Sequence, residues 1–280
     1  MTTRGTDRPY ADELIDLGLT RDADNIPTLV RALKSEQVQV RIAAVRALGW
    51  LRKPTVAALL LPMLNDQEPA VRRWTASSLA LCGQMASASM LRASMADESS
   101  PVVRASIARA LGWLGDQGSV DDLSRWALHD SCGQVRGASL QALIRLNTPL
   151  DLAFLLTACD DPDSAVRIQA LRGLAHGSGK EIESTLDACV LDPDPHIRVF
   201  AIRALVAIGA ARAREHCLLA LQDSNPGVRC AGLIGIRDGA FKLDGAILLP
   251  CLQDSHPEVR QQARLTKSAA EFSRVETERS

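Results

Sequence analysis

The chain of 280 residues contains 46% hydrophobic, 23% charged and only 3% aromatic residues, and its formal net charge is −1. This composition is typical of a folded chain whose core is built from aliphatic side chains. The charge balance gives no support for a duplex-binding protein, although it leaves room for a local basic face, and no stretch is apolar enough to span a membrane.

The N-terminal segment 1–24 is predicted to cap the fold. Residues 1–10 are polar and charged and lack the apolar centre of a signal peptide, so we expect a cytoplasmic protein. Residues 10–19 have the spacing of a short amphipathic helix, which would cover the first structural unit behind it.

A repeat extends over residues 25–267. An Arg preceded by Val, or once by Ile, recurs every 31 or 32 residues. The eight arginines are Arg41, Arg72, Arg104, Arg136, Arg167, Arg198, Arg229 and Arg260. Six residues before them stand Ser35, Asp66, Glu98, Asp130, Asp161, Asp192, Asp223 and Asp254. Such self-similarity predicts supersecondary units that stack to bury their apolar faces.

Each unit is predicted to hold two helices. The first is an apolar segment before the acidic residue, as at 55–64, 119–128, 150–159 and 211–221. The second begins at a proline, the favoured first residue of a helix, in five units: Pro69, Pro101, Pro195, Pro226 and Pro257. Ser100, Asp194 and Asn225 are predicted N-caps. Gly49, Gly112 and Gly209 are predicted to end helices.

The acidic residue and the Arg are predicted to be structural. The acid lies in the turn before the second helix, and the Arg lies one turn into that helix. Stacking would bring the Arg of one unit to the acid of the next, and a ladder of charge-assisted hydrogen bonds would join the units. The last helix is predicted to continue through 261–274, and residues 268–280 to form its end and a frayed tail.

This pattern of Asp, Val-Arg and an Ala-rich stretch ending in Leu-Gly resembles the HEAT repeat, in the short bacterial form also called the phycobilisome-lyase HEAT-like repeat. The resemblance implies an all-α fold, a right-handed α-solenoid of about eight helix pairs. It also implies that the second helices line a concave face on which partners bind. Relatives with this repeat include scaffolds, adaptor proteins, bilin lyase subunits, a metal-dependent hydroxylase and DNA glycosylases.

The sequence offers little chemistry. The hydroxylase would need His-Glu dipeptides, and none of the five histidines is followed by Glu. The His216-Cys217 pair lacks further spaced ligands for a zinc site, so no metal and no cofactor are expected. The segment 176–180 lacks the residues of a phosphate-binding loop. Cys132 is a candidate for a partly exposed thiol. Cys159, Cys189 and Cys251 occupy nearly the same position in their repeats and are expected to be small buried residues, and the thiols are expected to be reduced.

The predicted function is therefore a non-enzymatic scaffold or adaptor that binds another protein. A bilin lyase-like subunit acting on a phycobiliprotein is the second hypothesis, and a HEAT-type nucleic-acid-binding protein or DNA glycosylase is the third. Neither a nucleic acid, nor a small molecule, nor a membrane is expected as the partner.

The partner-binding site is predicted on the second helices. Counting the ladder Arg as position one, the third and sixth positions share a face away from the buried Val, Ala and Leu. The candidate residues on this face are Arg46, Trp74, Arg109, Gln141, Gln169, Arg172, Phe200 and Arg203. Arginine and aromatic residues are enriched at binding hot spots, so a protein segment with acidic groups is the predicted ligand. The alternative is that these arginines form an ordinary solvated face.

Overall fold

A computed structural model describes residues 7–83, 85–175, 177, 179–241 and 245–277, with side chains from Tyr10 to Ala269 within those ranges. These residues form helices and turns, with no strand among them. The predicted all-α solenoid of stacked helix pairs is confirmed. The chain divides into two compact units, Met1–Pro149 and Leu150–Ser280, and each is described by itself.

The first unit consists of a capping helix and four helix pairs. Helix α1 (Asp7–Leu19) packs on the second helix of the first pair. The pairs are α2 (Ile26–Ala32) with α3 (Val38–Trp50), α4 (Ala57–Leu60) with α5 (Pro69–Cys82), α6 (Ala88–Ala96) with α7 (Pro101–Leu114), and α8 (Val120–His129) with α9 (Gly133–Arg145).

The second unit contains four more pairs. They are α10 (Leu152–Cys159) with α11 (Ser164–Leu174), α12 (Lys180–Cys189) with α13 (Pro195–Ala207), α14 (Ala213–Ala220) with α15 (Pro226–Asp238), and α16 (Gly245–Leu252) with α17 (Pro257–Thr277). The last helix reaches Thr277, beyond the point where the sequence predicts fraying, and residues 278–280 lie outside the described part.

The helix starts follow the proline rule. All five prolines named above are the first residues of second helices. Asp194 and Asn225 cap α13 and α15, because their side chains accept hydrogen bonds from the backbone N–H groups of His196 and Gly227. Ser100 occupies the N-cap position of α7 but makes no side-chain capping bond, so the prediction of a side-chain cap is wrong there.

Gly49 and Gly112 do not end helices, which corrects the sequence prediction. Both lie inside second helices, at points of close approach to the next second helix. A Cβ atom on Gly112 would lie 2.8 Å from Cα of Ala142, and one on Gly49 would lie 2.9 Å from Cα of Ser78. Glycine is needed at both positions because the neighbouring backbone is so near. Of the three, only Gly209 has the predicted role, with φ of 66° just beyond Ile208, the C-cap residue of α13.

Second helices form the inner layer of each unit. Neighbouring second helices pack along their lengths, whereas neighbouring first helices make few contacts with one another. A layer with closer spacing is the inner side of a curved stack, so the free face of the second helices is concave within each unit. Fully buried leucines such as Leu48, Leu79, Leu111 and Leu143 fill the core between the two layers of the first unit.

The ladder joins successive pairs. Six arginines of the repeat each donate from both Nε and Nη2 to the carboxylate of the next pair. The pairs are Arg41–Asp66, Arg72–Glu98, Arg104–Asp130, Arg167–Asp192, Arg198–Asp223 and Arg229–Asp254. Each of these guanidinium groups also donates from Nη1 to a backbone carbonyl oxygen in the turn before its own helix. Arg136 and Arg260 make the same bond, to the carbonyl oxygens of Asp130 and Asp254.

Each ladder carboxylate also closes the turn in which it stands. Asp130 accepts a hydrogen bond from the backbone N–H of Cys132 at 2.9 Å, and Asp161 accepts one from Asp163 at 2.8 Å. Burial opposes the charged form of Asp130, but the hydrogen bonds from Arg104 and from Cys132 outweigh it and hold the pKa of this carboxyl below its usual value. The charged residues of the repeat motif are therefore part of the frame that holds the second helices in register.

Candidate partner-binding face

Apart from its last helix, α17, the inner layer is basic and nearly free of acidic residues. Helices α3, α5, α7, α9, α11 and α13 contain no Asp or Glu at all, and α15 contains only Asp238 at its end. Acidic side chains lie instead in the turns and on first helices, such as Asp121 and Asp122 on α8. The net charge of −1 thus conceals a separation of charge between the two layers.

In the first unit, Arg46 is held between two tryptophans. Its Cζ atom lies 5.0 Å from the ring centroid of Trp50 and 4.6 Å from that of Trp74. Its Nε atom is buried and makes no hydrogen bond within the described residues. Contacts of a cation with aromatic faces stabilise the charged group and restrict its orientation. Arg46 is therefore a fixed, half-buried cation and not part of an ordinary solvated face.

Two further arginines, Arg73 and Arg109, lie near Arg46 and its two tryptophans. The Cζ atom of Arg73 lies 5.0 Å from the centroid of the Trp74 ring. Arg109 is exposed but sits within the concave side, where desolvation and, to a smaller extent, the charge of Arg73 lower its pKa. Farther along the layer, Cζ of Arg145 lies 3.5 Å from the centroid of Trp113, whose side chain is 64% exposed.

In the second unit, helices α11, α13 and α15 enclose a groove of about 740 Å³. The residues that line it are Leu171, Arg172, Ala175, Phe200, Arg203, Ala204, Val206, Ala207, Ile234, Gly235 and Asp238. The volume is within the range of protein ligand pockets. Most of the lining is aliphatic or aromatic, and the two arginines and Asp238 supply its charges.

The charged residues of the groove are fixed to different degrees. Cζ of Arg172 lies 4.9 Å from the centroid of Phe200, and its Nη1 donates a weak hydrogen bond of 3.4 Å to Oε1 of Gln169. Arg203 is exposed and forms no ion pair within the described residues. Asp238 is paired with Arg237, between Oδ1 and Nε at 3.4 Å. The groove therefore presents two guanidinium groups beside an apolar floor.

The structure brings together some of the sequence-predicted residues. Gln169, Arg172, Phe200 and Arg203 meet at the groove of the second unit. Arg46, Trp74 and Arg109 lie on the second helices α3, α5 and α7 of the first unit. Gln141 is half-buried on α9 of the same unit. Sequence reasoning missed the roles of Trp50, Trp113, Arg145 and Ile234. The absence of acidic residues from the second helices α3, α5, α7, α9, α11 and α13 is the sequence signal that would have drawn attention to this layer.

The other candidates for chemistry are embedded in the fold. His216 and Cys217 are both buried in α14, and Nε2 of His216 lies 2.7 Å from Oδ1 of Asp187. Burial raises the pKa of the Cys217 thiol to about 12. Cys132 is half-buried at the start of α9. His176 and Ser178 of the 176–180 segment lie outside the described residues.

Two properties concern the described part of the chain as a whole. No cluster of three or more His, Cys, Asp or Glu side chains in these ranges is placed to hold a metal ion. None of the helices in them has both the length and the apolar character required to cross a lipid bilayer.

Comparison with known proteins identifies the repeat. The family model for HEAT repeats matches residues 14–80, 57–144 and 152–237. The Escherichia coli protein YibA is similar in structure, with a TM-score of 0.67 and 16% identity over 97% of this chain and 98% of that one. The complex of CpcE and CpcF of phycocyanin lyase from Nostoc sp. matches with a TM-score of 0.51 and 18% identity, over 88% of this chain and 94% of that one. No curated protein sequence gives a significant match.

Proposed function

The chain belongs to the HEAT repeat family, and from this premise we propose that it is a non-enzymatic cytoplasmic adaptor that binds another protein on the inner face of its second helices. The observation that carries the proposal is the groove of the second unit. It combines an apolar floor at Phe200 and Ile234 with two guanidinium groups, Arg172 and Arg203, that have no carboxylate partner within the described residues. An adaptor requires such a surface and requires no catalytic group.

The chemistry of the groove defines the expected ligand. An apolar side chain of the partner would fill the space between Phe200 and Ile234 and exclude water, which is the main source of affinity. Carboxylates on either side of that side chain would pair with Arg172 and Arg203. Such charge pairs at a rim chiefly speed association and make it sensitive to salt. The partner is therefore a short helical or extended segment with an apolar anchor between acidic residues.

The other two hypotheses from the sequence differ in the ligand. A bilin lyase-like subunit would hold a phycobiliprotein, and a nucleic-acid-binding protein would hold a phosphate backbone. The structural likeness to a phycocyanin lyase supports a common fold, and no residue described here favours lyase chemistry over plain binding. The identity of the captured partner separates the three hypotheses.

A site-directed photo-crosslinking experiment tests the proposal. A photoreactive amino acid replaces Ile234 on the groove floor or, as the control, Leu219, which is 58% exposed on the first helix α14. We expect position 234 to crosslink to a partner protein, and position 219 to give different crosslinked proteins or none. The partner peptide crosslinked at position 234 should be rich in acidic residues. Equal adducts from both positions would show that the groove is not the site.

A further inference from the structure

Two guanidinium groups lie against one tryptophan in the first unit, and a third lies nearby on the next second helix. Arg46 and Arg73 each lie within 5.0 Å of the Trp74 ring centroid, so their Cζ atoms are no more than about 10 Å apart. Arg109 on the next second helix is close enough to Arg73 for the two charges to interact. None of the three forms an ion pair with a carboxylate within the described residues. We call Arg46, Arg73, Arg109 and Trp74 the arginine cluster.

The arginine cluster is electrostatically incomplete. Like charges held near each other repel, and the repulsion is larger where protein excludes part of the solvent. Desolvation is the main cause, and Arg73 the second, of the lowered pKa of Arg109. The ladder arginines beside the cluster, Arg72 and Arg104, are neutralised by Glu98 and Asp130. The cluster differs from them in lacking an anion of its own.

The geometry favours a phosphate over a carboxylate as the missing anion. A phosphate monoester carries nearly two negative charges and three acceptor oxygens on one atom, whereas a carboxylate carries one charge. Several guanidinium groups within reach of one another can bind these oxygens together through their planar donor edges. Cation contacts with Trp50 and Trp74 hold Arg46 in place before the ligand arrives, so less side-chain freedom is lost on binding.

We infer that the arginine cluster is a recognition site for a phosphorylated side chain of a protein partner. This inference rests on the proposed adaptor function, because it takes the ligand to be part of a protein. The arginine cluster lies in the first unit and is a different site from the groove of the second unit. Phosphorylation of the partner would then enable it to bind the first unit. This chain would perform no chemistry itself.

A single-stranded nucleic acid fits the cluster less well. Sequence-tolerant binding of single strands depends on aromatic rings on which bases can stack. The Trp74 ring already has Arg46 and Arg73 against it, and the Trp113 ring has Arg145 against it. The remaining arginines of α3, α5 and α7, which are Arg41, Arg72 and Arg104, are engaged in the ladder, so they do not extend the cluster into a basic track.

The test follows the indole N–H signals of the full-length protein by two-dimensional NMR. Trp126, on the first helix α8, is the internal control. The probes are a short peptide with one phosphoserine, the same peptide with Ser or Glu in its place, and an oligothymidylate of similar length, all at constant ionic strength. We expect the phosphoserine peptide to shift the Trp50 and Trp74 signals saturably, with an affinity at least about fivefold higher than that of the Glu peptide, and to leave Trp126 unmoved.

Two variants test the assignment to particular residues. Arg73→Gln with Arg109→Gln should abolish the saturable shift while leaving the circular dichroism spectrum unchanged, because neither residue belongs to the ladder. Arg73→Lys should retain part of the affinity, since it keeps the charge but loses the planar fork. Binding that survives the double Gln substitution in a folded protein would overturn the assignment.

The remaining outcomes separate this inference from the adaptor proposal. Absence of a saturable shift, equal affinity for the Glu and phosphoserine peptides, or tighter binding of the oligothymidylate would each overturn the phosphate site. The crosslink from position 234 lies in the other unit and needs no phosphate, so it can succeed when the phosphate site fails. A saturable phosphoserine response without that crosslink would instead remove the groove and leave the arginine cluster.

Discussion

Arg167 joins two helix pairs through a single guanidinium group. Its Nε and Nη2 donate to the two carboxylate oxygens of Asp192 at 3.1 and 3.2 Å, and its Nη1 donates to the carbonyl of Asp161 at 2.9 Å. The carboxylate of Asp192 in turn accepts the backbone N–H of Asp194 at 2.8 Å. One side chain therefore fixes the turn before its own helix and the turn before the next second helix.

Replacing Arg167 with Ala should lower the free energy of unfolding by about 2 kcal/mol, because a largely buried carboxylate loses its partner. Arg260→Ala is the matched control, since Arg260 bonds carbonyls of its own turn and pairs with no carboxylate of another helix pair within the described residues. Its cost should be about 1 kcal/mol or less. Urea denaturation of both variants measures the difference, and equal losses would contradict the ladder as the link between pairs.

Acid should weaken the ladder. Arg104 and the N–H of Cys132 outweigh the effect of burial on Asp130, so the pKa of this carboxyl is lower in the folded chain than in the unfolded chain. The same direction holds for Asp66, Glu98 and Asp223. The stabilisation is then complete above the unfolded value of about 4 and is lost as the pH falls through the folded values.

We therefore expect the free energy of unfolding to decrease steeply below about pH 4. The Asp130→Asn variant should be less stable at neutral pH and should lose less stability on acidification than the parent protein. Urea midpoints measured from pH 7 to pH 3 give the comparison. Parallel curves for the two proteins would show that Asp130 contributes nothing to acid sensitivity.

Gly112→Ala tests the close packing of second helices. The new Cβ would lie 2.8 Å from Cα of Ala142, so α7 and α9 would have to move apart, at a cost of about 1–3 kcal/mol. Gly245→Ala is the control, because nothing lies within 4 Å of a Cβ placed there, and it should be neutral or slightly stabilising. Thermal unfolding of the two variants distinguishes them, and a stabilising Gly112→Ala would contradict the described approach of the helices.

The sequence predicted the repeat and the helix pairs because both depend on local signals, the Val-Arg spacing and the prolines at helix starts. It failed at Gly49 and Gly112, since sequence alone does not show whether a glycine near a helix end turns the chain or admits a neighbouring helix. Residues 55–64 were predicted as one first helix, but only Ala57–Leu60 is α-helical, with 3-10 turns on both sides. Pro62 lacks the N–H group that a continuous helix would use.

The candidate site was only partly predictable. Helical spacing places Arg172, Phe200 and Arg203 on one face, and the groove that they line is present. Helical spacing alone does not show that Arg203 is exposed whereas Arg46 is half-buried. Arg46 is covered because Trp50 and Trp74, on two neighbouring helices, pack against it. The side-chain contacts between helices, and with them the arginine cluster, required the structure.

Charge reversal in the groove tests whether a protein partner binds the inner face of the second helices. The affinity of the partner captured at position 234 is measured for Arg172→Glu with Arg203→Glu and for a control double variant, Arg125→Glu with Lys180→Glu, which changes two exposed first-helix cations. We expect at least about tenfold weaker binding at low salt for the groove variant and little change for the control, with both proteins folded. Unchanged affinity of the folded groove variant would contradict the inner face of the second helices as the binding site.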